Sequence, residues 1–134
     1  MYLLDSSAWL VHLFDEPGVD QINQMFDESR AQISISVLSI PEISAKLKSL
    51  GQDARWPEVW QNYKLLFNKV VPVDLEIAQK AVDLRSTASQ RLPTVDALIV
   101  ATALVNQLTV VHRDAHIGAI PSSLLRQIRL PDKV

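Results

Sequence analysis

The chain has 134 residues, of which 48% are hydrophobic and 21% are charged, so it can bury a hydrophobic core and is unlike a disordered protein. The formal net charge of −2 at pH 7 argues against a protein that coats nucleic acid through bulk positive charge. The absence of cysteine excludes disulfides and thiolate metal sites, and it is compatible with the cytoplasmic location that we expect.

The first predicted element is a short apolar strand over Leu3–Leu4, which ends at Asp5. No basic residue precedes this run and Asp5 interrupts it, so we expect no secretory signal peptide. A carboxylate at the end of a buried strand loses hydration and must be compensated by a partner. Asp5 could cap the helix that Ser7 begins, or it could face a group from a distant part of the chain.

The second predicted strand, residues 33–37, leads into Ser39-Ile40-Pro41-Glu42. Ser39 and Glu42 have the spacing of a capping box, in which each side chain bonds the backbone N–H of the other residue. Pro41 lies near the start of this helix, where proline is tolerated. Glu42 is therefore predicted in the first turn of a helix that follows a strand.

Four aromatic residues follow at helical spacing, and they form a stripe on one helix: Trp56, Trp60, Tyr63 and Phe67. One interpretation is packing in the core. The other is a surface for a partner, because a helix in a small domain can lie outside the main core. The pattern alone does not separate these two interpretations.

The remaining elements continue the alternation of strands and helices. A strand over residues 70–73 precedes Asp74, which we expect to cap a helix that includes residues 77–85. The run from Val95 to Val105 predicts a buried central helix with Asp96 in its first turn and Thr94 as a possible cap, and a strand over 108–111 precedes Asp114.

This alternation predicts a single α/β domain over residues 1–134, with helices on both faces of a mainly parallel sheet. The longest uncharged apolar stretch, from Ala97 to Val105, is far shorter than the roughly 18–20 residues that a membrane span needs. We therefore expect no membrane partner.

Four carboxylates occupy comparable positions, at the end of a strand or at the start of the next helix: Asp5, Glu42, Asp96 and Asp114. In a parallel α/β sheet these positions converge on one edge. Carboxylates that meet repel by about 1–4 kcal/mol per pair near about 4 Å, which four independent helix caps would have no reason to accept. Oxygen ligands of this kind select Mg²⁺ or Mn²⁺ over zinc, and no matched histidine spacing predicts a zinc site. Asp5 is therefore predicted to face a cation shared with the other three acids.

The chain resembles a PIN domain in the motifs that contain these acids. The motifs are Leu3-Leu4-Asp5-Ser6-Ser7, Ser39-x-x-Glu42, the segment from Leu92 to Ala103 around Asp96, and Val110-Val111-His112-Arg113-Asp114. The resemblance covers nearly the whole chain, and its order and size are similar to the toxin of a VapBC-type toxin–antitoxin pair. It implies a three-layer α/β/α fold and an endoribonuclease that depends on Mg²⁺ or Mn²⁺.

The resemblance also implies roles for individual residues. Asp5, Asp96 and Asp114 would be metal ligands, and Glu42 would be a ligand or the group that receives a proton from the attacking water. Ser7 would orient a carboxylate or bond a phosphate, and Arg113 could hold the scissile phosphate, although a surface arginine is an equally good interpretation. Relatives often carry a further acid where this chain has Ile117, so a strict two-metal mechanism stays open.

The partners that the resemblance implies are an RNA substrate, a VapB-like antitoxin and a second copy of the chain in a homodimer. The sequence identifies neither the RNA nor its cleavage site, and it does not reveal the DNA-binding class of the antitoxin. The predicted partner groove combines the aromatic stripe with three apolar residues of the Glu42 helix: Ile40, Ile43 and Leu47.

Two other classes of protein compete with the nuclease. A receiver-like signalling domain also gathers acids around Mg²⁺, but it would need paired acids after the first strand and a lysine near the last, where this chain has Ser6 and Arg113. The other competitor is a catalytically inactive PIN-like domain kept for protein contacts. The presence of all four acids argues against it.

Overall fold

A computed structural model of the chain describes residues 1–133. Its strands are β1 (Tyr2–Leu4), β2 (Ile33–Ser36), β3 (Lys69–Val71), β4 (Thr109–His112) and β5 (Gln127–Arg129). Its α-helices are α1 (Ser6–Leu13), α2 (Val19–Asp27), α3 (Ser39–Ser49), α4 (Trp56–Leu66), α5 (Leu75–Thr87), α6 (Thr94–Asn106) and α7 (Ala115–Gly118), and a 3-10 turn covers Asp53–Arg55.

The five strands form one sheet in the order β3-β2-β1-β4-β5, and every pairing between neighbours is parallel. The sheet is thus fully parallel within residues 1–133, where the sequence predicts a mainly parallel one. The strand order reverses between β1 and β4, which are the first and fourth strands along the chain. Ligands of open α/β sheets bind outside the carboxyl ends of the strands at such a reversal.

Helices cover both faces of the sheet, so the predicted three-layer α/β/α fold is confirmed. Side chains alternate between the faces along each strand. Leu4 and Val111 join the core beneath α1–α4, whereas Leu3 and Val110 join the core beneath α6 and α7. No helix within residues 1–133 is both long and apolar enough to cross a membrane.

The predicted caps have different outcomes. Asp74 caps α5, because its Oδ1 accepts a hydrogen bond from the Ile77 N–H at 3.0 Å. The capping box at α3 is wrong, since the cap position is Leu38 and the buried Ser39 hydroxyl has no hydrogen-bond partner. Thr94 does not cap α6 either, because the helix begins after Pro93 and has no side-chain cap.

Most of the predicted partner groove lies inside the core, which corrects that part of the prediction. Four of its residues are nearly or fully buried: Ile43, Leu47, Tyr63 and Phe67. Tyr63 and Phe67 pack against Trp9 of α1, a fully buried residue whose ring lies 5.3 Å from the Tyr63 ring and 5.0 Å from the Phe67 ring. Ile43 and Leu47 belong to the same hydrophobic core. Only Ile40, Trp56 and Trp60 stay partly exposed and able to contact a partner.

Candidate active site

The four predicted acids lie at the carboxyl edge of the sheet, around the reversal between β1 and β4. Asp5 directly follows β1, and Asp114 follows β4 after one intervening residue. Glu42 and Asp96 each lie in the first turn of a helix, α3 and α6 respectively. Electrostatic repulsion couples each of these carboxylates to the other three.

Asp5 is the most buried of the four, with 6% of its surface exposed. Its side chain makes no capping bond to α1, although its carbonyl accepts the first backbone bonds of that helix. The Ser7 hydroxyl donates a hydrogen bond to Asp5 Oδ2 at 2.9 Å and accepts one from the Arg113 N–H at 2.8 Å. Burial and repulsion from Asp114 raise the pKa of Asp5, and the Ser7 bond opposes this rise. Ser7 thus ties Asp5 to the loop after β4.

Glu42 is held by a hydroxyl from a different helix. The Ser6 hydroxyl donates to Glu42 Oε1 at 2.7 Å. Partial burial raises the pKa of Glu42, the Ser6 bond lowers it, and the charges of Asp5 and Asp114 raise it further. A carboxyl group with a raised pKa accepts a proton more readily, which suits a general base.

The pKa of Asp96 is raised both by burial and by the charges of the other three acids. Burial raises its pKa to about 6, together with repulsion from Asp114, Asp5 and Glu42, whereas His116 lowers it. Its side chain has 17% of its surface exposed and makes no capping bond at the start of α6. Asp96 therefore faces other carboxylates rather than the backbone N–H groups of its own helix.

Asp114 belongs both to the acidic cluster and to a local turn. Its Oδ1 accepts from the N–H groups of His116 at 2.7 Å and Ile117 at 3.1 Å, which makes it the cap of α7. Its own N–H donates to Nδ1 of the buried His112 at 3.0 Å. Because that nitrogen accepts, we assign the proton to Nε2, which lies 2.6 Å from Gln127 Oε1 of β5. A buried side-chain relay thus holds the loop that carries Asp114.

His116 joins the cluster although nothing in the local sequence pattern marks it. Its Nδ1 lies 3.6 Å from Asp96 Oδ2 and 3.5 Å from Asp114 Oδ1. Among residues 1–133, Asp96, Asp114 and His116 form the one group of three whose ligand atoms all lie within 4.8 Å of one another. The only available signal was its place two residues after Asp114, in the first turn of α7.

Arg113 does not point at the site as predicted. Its Nη2 donates to Glu16 Oε1 at 3.0 Å, and its side chain is 14% exposed. Lys133 Nζ lies 2.9 Å from the other oxygen of Glu16, so this buried acid is paired with two cationic side chains. Arg113 contributes its backbone N–H to the site, through Ser7, and not its guanidinium.

Ile117, which occupies the place of a further acid in many relatives, is fully buried in the core beneath α6 and α7. The donor set is therefore carboxylates with one imidazole at the rim. Carboxylate oxygens are the preferred ligands of Mg²⁺ and Mn²⁺, and a divalent cation would offset the repulsion among them. The residues present fit such a cation.

Solved structures share this fold across nearly the whole chain. VapBC2 from Rickettsia felis, solved with a promoter DNA fragment, has a TM-score of 0.79 at 15% identity and covers 97% of this chain and 98% of its own. A toxin–antitoxin complex from Klebsiella pneumoniae has a TM-score of 0.64 at 26% identity and covers 90% of this chain and 93% of its own. VapC20 from Mycobacterium tuberculosis, a toxin that cleaves the sarcin–ricin loop, has a TM-score of 0.73 at 11% identity and covers 96% of this chain and 99% of its own.

A search of curated proteins finds no match to the sequence. A family model described as the PIN domain matches residues 2–122, which include all four acids. The expected resemblance to this family is thus confirmed. By this match, and in agreement with its fold, the chain belongs to the PIN domain family.

Proposed function

We propose that this protein is a divalent-metal-dependent endoribonuclease that acts as the toxin of a VapBC-type toxin–antitoxin pair. The observation that carries the proposal is the mutual repulsion of Asp5, Glu42, Asp96 and Asp114, four carboxylates from separate segments. A fold accepts such repulsion where a cation is bound, and membership of the PIN domain family supports this interpretation.

Asp5, Asp96 and Asp114 would hold one Mg²⁺ or Mn²⁺, and His116 stands close enough to two of them to act as a further ligand or as their hydrogen-bond donor. When bound, such a cation would lower the pKa of a water molecule and would polarise a phosphoryl oxygen. Ser7 positions Asp5 by donating to Oδ2, and the His112–Gln127 relay positions the loop of Asp114.

Glu42 would receive the proton of the attacking water. Hydrolysis joins the water oxygen to phosphorus and breaks the bond from phosphorus to the leaving ribose oxygen, which then takes up a proton. The Ser6 hydroxyl fixes Oε1 of Glu42 at 2.7 Å and leaves Oε2 free of side-chain bonds within residues 1–133. We propose no substrate role for the Arg113 guanidinium, because Glu16 occupies it.

The proposed partners are RNA, a VapB-like antitoxin and a second copy of the chain. The similar structures include VapBC2 from Rickettsia felis, a toxin–antitoxin complex from Klebsiella pneumoniae and VapC20, a toxin that cleaves the sarcin–ricin loop, and these similarities support the same context here. The exposed parts of Ile40, Trp56 and Trp60 remain the candidate contact surface for the antitoxin, since the rest of the predicted groove is buried.

The test is cleavage of RNA by the purified protein with Mg²⁺ or Mn²⁺ and with excess EDTA. We expect cleavage only with the cation, and we expect expression of the parent to arrest bacterial growth. Asp5→Asn should relieve the arrest at unchanged protein level. Cleavage that persists in EDTA, with contaminating nucleases excluded, would contradict the proposal.

A further inference from the structure

A cavity of about 150 Å³ lies beside the acidic cluster, between the loop that joins α5 to α6 and the segment that follows α7. Its floor is apolar and consists of Leu84, Leu92 and Ile120, which pack in one of the hydrophobic cores. Its rim includes Arg91, His116 and Leu124. About 10–15 Å³ of such space holds one water, so the cavity has room for a planar ring system.

The loop on one side of this cavity is held in place by α5. Arg85 Nε donates to the Leu92 carbonyl at 3.0 Å, and Leu92 is 6% exposed. The neighbouring Arg91 is exposed and can reach toward solvent at the rim. The Arg85 hydrogen bond therefore holds this loop against α5, and the loop presents the Arg91 guanidinium at the rim of the cavity.

His116 connects the cavity to the acidic cluster. The imidazole lines the cavity, and its Nδ1 lies 3.6 Å or less from Asp96 and Asp114. Leu124, which also lies at the rim, leaves 61% of its surface exposed, which is a large apolar area for a residue beside a polar site. A ligand that lies on Leu124 and His116 would therefore place its next atoms at the acids.

We propose that this cavity binds one nucleobase of the RNA, in the nucleotide next to the scissile phosphate. The proposal rests on the proposed nuclease function, which it deepens by naming a subsite for the substrate. A base would cover the apolar floor and Leu124 with its faces, and its edge would meet the polar groups of the loop. Arg91 would neutralise a phosphate of the same strand.

A nucleobase fits these features better than a peptide side chain does. The cavity combines an apolar floor with an exposed imidazole and one guanidinium, and proteins that bind single-stranded RNA pair stacking surfaces with positive charge in this way. The remaining lining residues with polar side chains are Thr87, Ser89 and Gln90, and the Thr87 hydroxyl, which donates to the Asp83 carbonyl at 3.0 Å, can still accept a hydrogen bond. These groups can bond the edge of a base and so select among bases.

The proposal can be tested by filling the cavity with a large side chain introduced at an exposed residue of its lining. Ala119→Trp places an indole in the cavity, and Ala54→Trp puts the same side chain at an exposed position on the other face of the sheet. Cleavage of a pool of short random RNAs, read by sequencing, should show a base preference beside the cut for the parent and for Ala54→Trp. We expect Ala119→Trp to lose this preference, with kcat/KM for RNA reduced about tenfold.

Two further measurements separate the subsite from the chemistry. Hydrolysis of bis(p-nitrophenyl) phosphate, which has no base, should be unchanged in Ala119→Trp. Binding of a labelled single-stranded RNA, followed by fluorescence anisotropy in EDTA, should weaken about tenfold in Ala119→Trp and clearly in Arg91→Ala, but not in Arg30→Ala at the opposite edge of the sheet.

The outcomes are distinguishable. If the parent hydrolyses neither substrate but the cavity variants still weaken RNA binding, the nuclease proposal fails and the base site stands. An unchanged base preference and unchanged RNA binding in a folded Ala119→Trp would overturn the base site, and so would a variant that weakens only antitoxin binding. If Ala119→Trp does not fold, Leu124→Asn, which alters an exposed side chain, provides the same readout.

Discussion

Helices α5 and α6 each begin near an aspartate, but the two carboxylates have different partners. Asp74 is exposed and bonds the Ile77 N–H of its own helix. Asp96 is largely buried, makes no capping bond, and lies among Asp5, Glu42 and Asp114. A carboxylate at a helix start stabilises the helix when it bonds free N–H groups. Asp96 therefore needs a partner other than its own helix, and we propose that this partner is a cation.

The largest expected difference between the two aspartates is in catalysis. Asp96→Asn should lower the rate of RNA cleavage by about 100-fold or more, since it removes a proposed metal ligand, whereas Asp74→Asn should stay within about twofold of the parent. The measurement is single-turnover cleavage of one defined RNA at saturating Mn²⁺. If Asp96→Asn and Asp74→Asn lose the same amount of cleavage activity, Asp96 has no special role in catalysis.

Ser7→Ala tests how much the hydrogen bond from Ser7 to the buried Asp5 carboxylate contributes to stability. The variant removes the donor to Asp5 Oδ2 and the acceptor for the Arg113 N–H, so it should lower the free energy of unfolding by about 1–3 kcal/mol. Ser6→Ala is the matched control, because its bond to Glu42 is exposed and its loss should be smaller. Urea denaturation of both variants measures this, and a larger loss in Ser6→Ala would contradict the assigned roles.

Without metal, substitutions of Asp74 and Asp96 should change the stability of the fold in opposite directions. Asp74→Ala should lower the free energy of unfolding by about 0.5–2 kcal/mol, because α5 loses its cap. Asp96→Asn in EDTA should melt at or above the temperature of the parent, because it relieves repulsion and leaves no cap unsatisfied. Asp83→Asn, at an exposed position of α5, is the control. If Asp96→Asn melts well below the parent, Asp96 is a stabilising residue of the helix start.

The pH dependence of stability gives the smallest effect. The pKa of Asp96 is raised to about 6 from an ordinary value of 3.8, so the folded state binds this proton more tightly than the unfolded state does. The resulting penalty is complete above pH 6 and fades as the pH falls toward 3.8. In EDTA, the free energy of unfolding of Asp96→Asn should therefore gain less than that of the parent when the pH falls from 7 to 5. Parallel curves for the two proteins would contradict this assignment.

The positions of the site residues follow from the sequence, but several of their partners do not. The alternation of apolar runs predicts the parallel sheet, and a parallel sheet brings strand ends and helix starts to one edge. The sequence therefore indicates where Asp5 and Asp96 lie. The strand β5 could not be foreseen, because Gln127–Arg129 is a short polar run whose only pairing is with β4 at the edge of the sheet.

Contacts between distant residues account for the other differences. Glu16 binds Arg113 across 97 positions of the chain, and no local pattern distinguishes it from a solvated acid. The aromatic stripe from Trp56 to Phe67 packs on Trp9 of α1, a contact between distant segments that no local pattern predicts. His116 reaches the cluster only because Asp114 caps α7 and turns the chain there. All three contacts depend on tertiary packing, which a local sequence pattern does not reveal.

We propose that Asp5, Asp96 and Asp114 hold one cation beside Glu42, and Mn²⁺ binding to the folded protein tests this site most directly. Isothermal titration of the EDTA-treated and dialysed protein, with thermal melts in millimolar Mn²⁺, would report affinity and stabilisation together. We expect the parent and Asp74→Asn to bind Mn²⁺ and to melt at a higher temperature with it, and we expect Asp96→Asn to show neither effect. A parent that is indifferent to Mn²⁺, or an Asp96→Asn variant that binds it as the parent does, would contradict the proposed cation site.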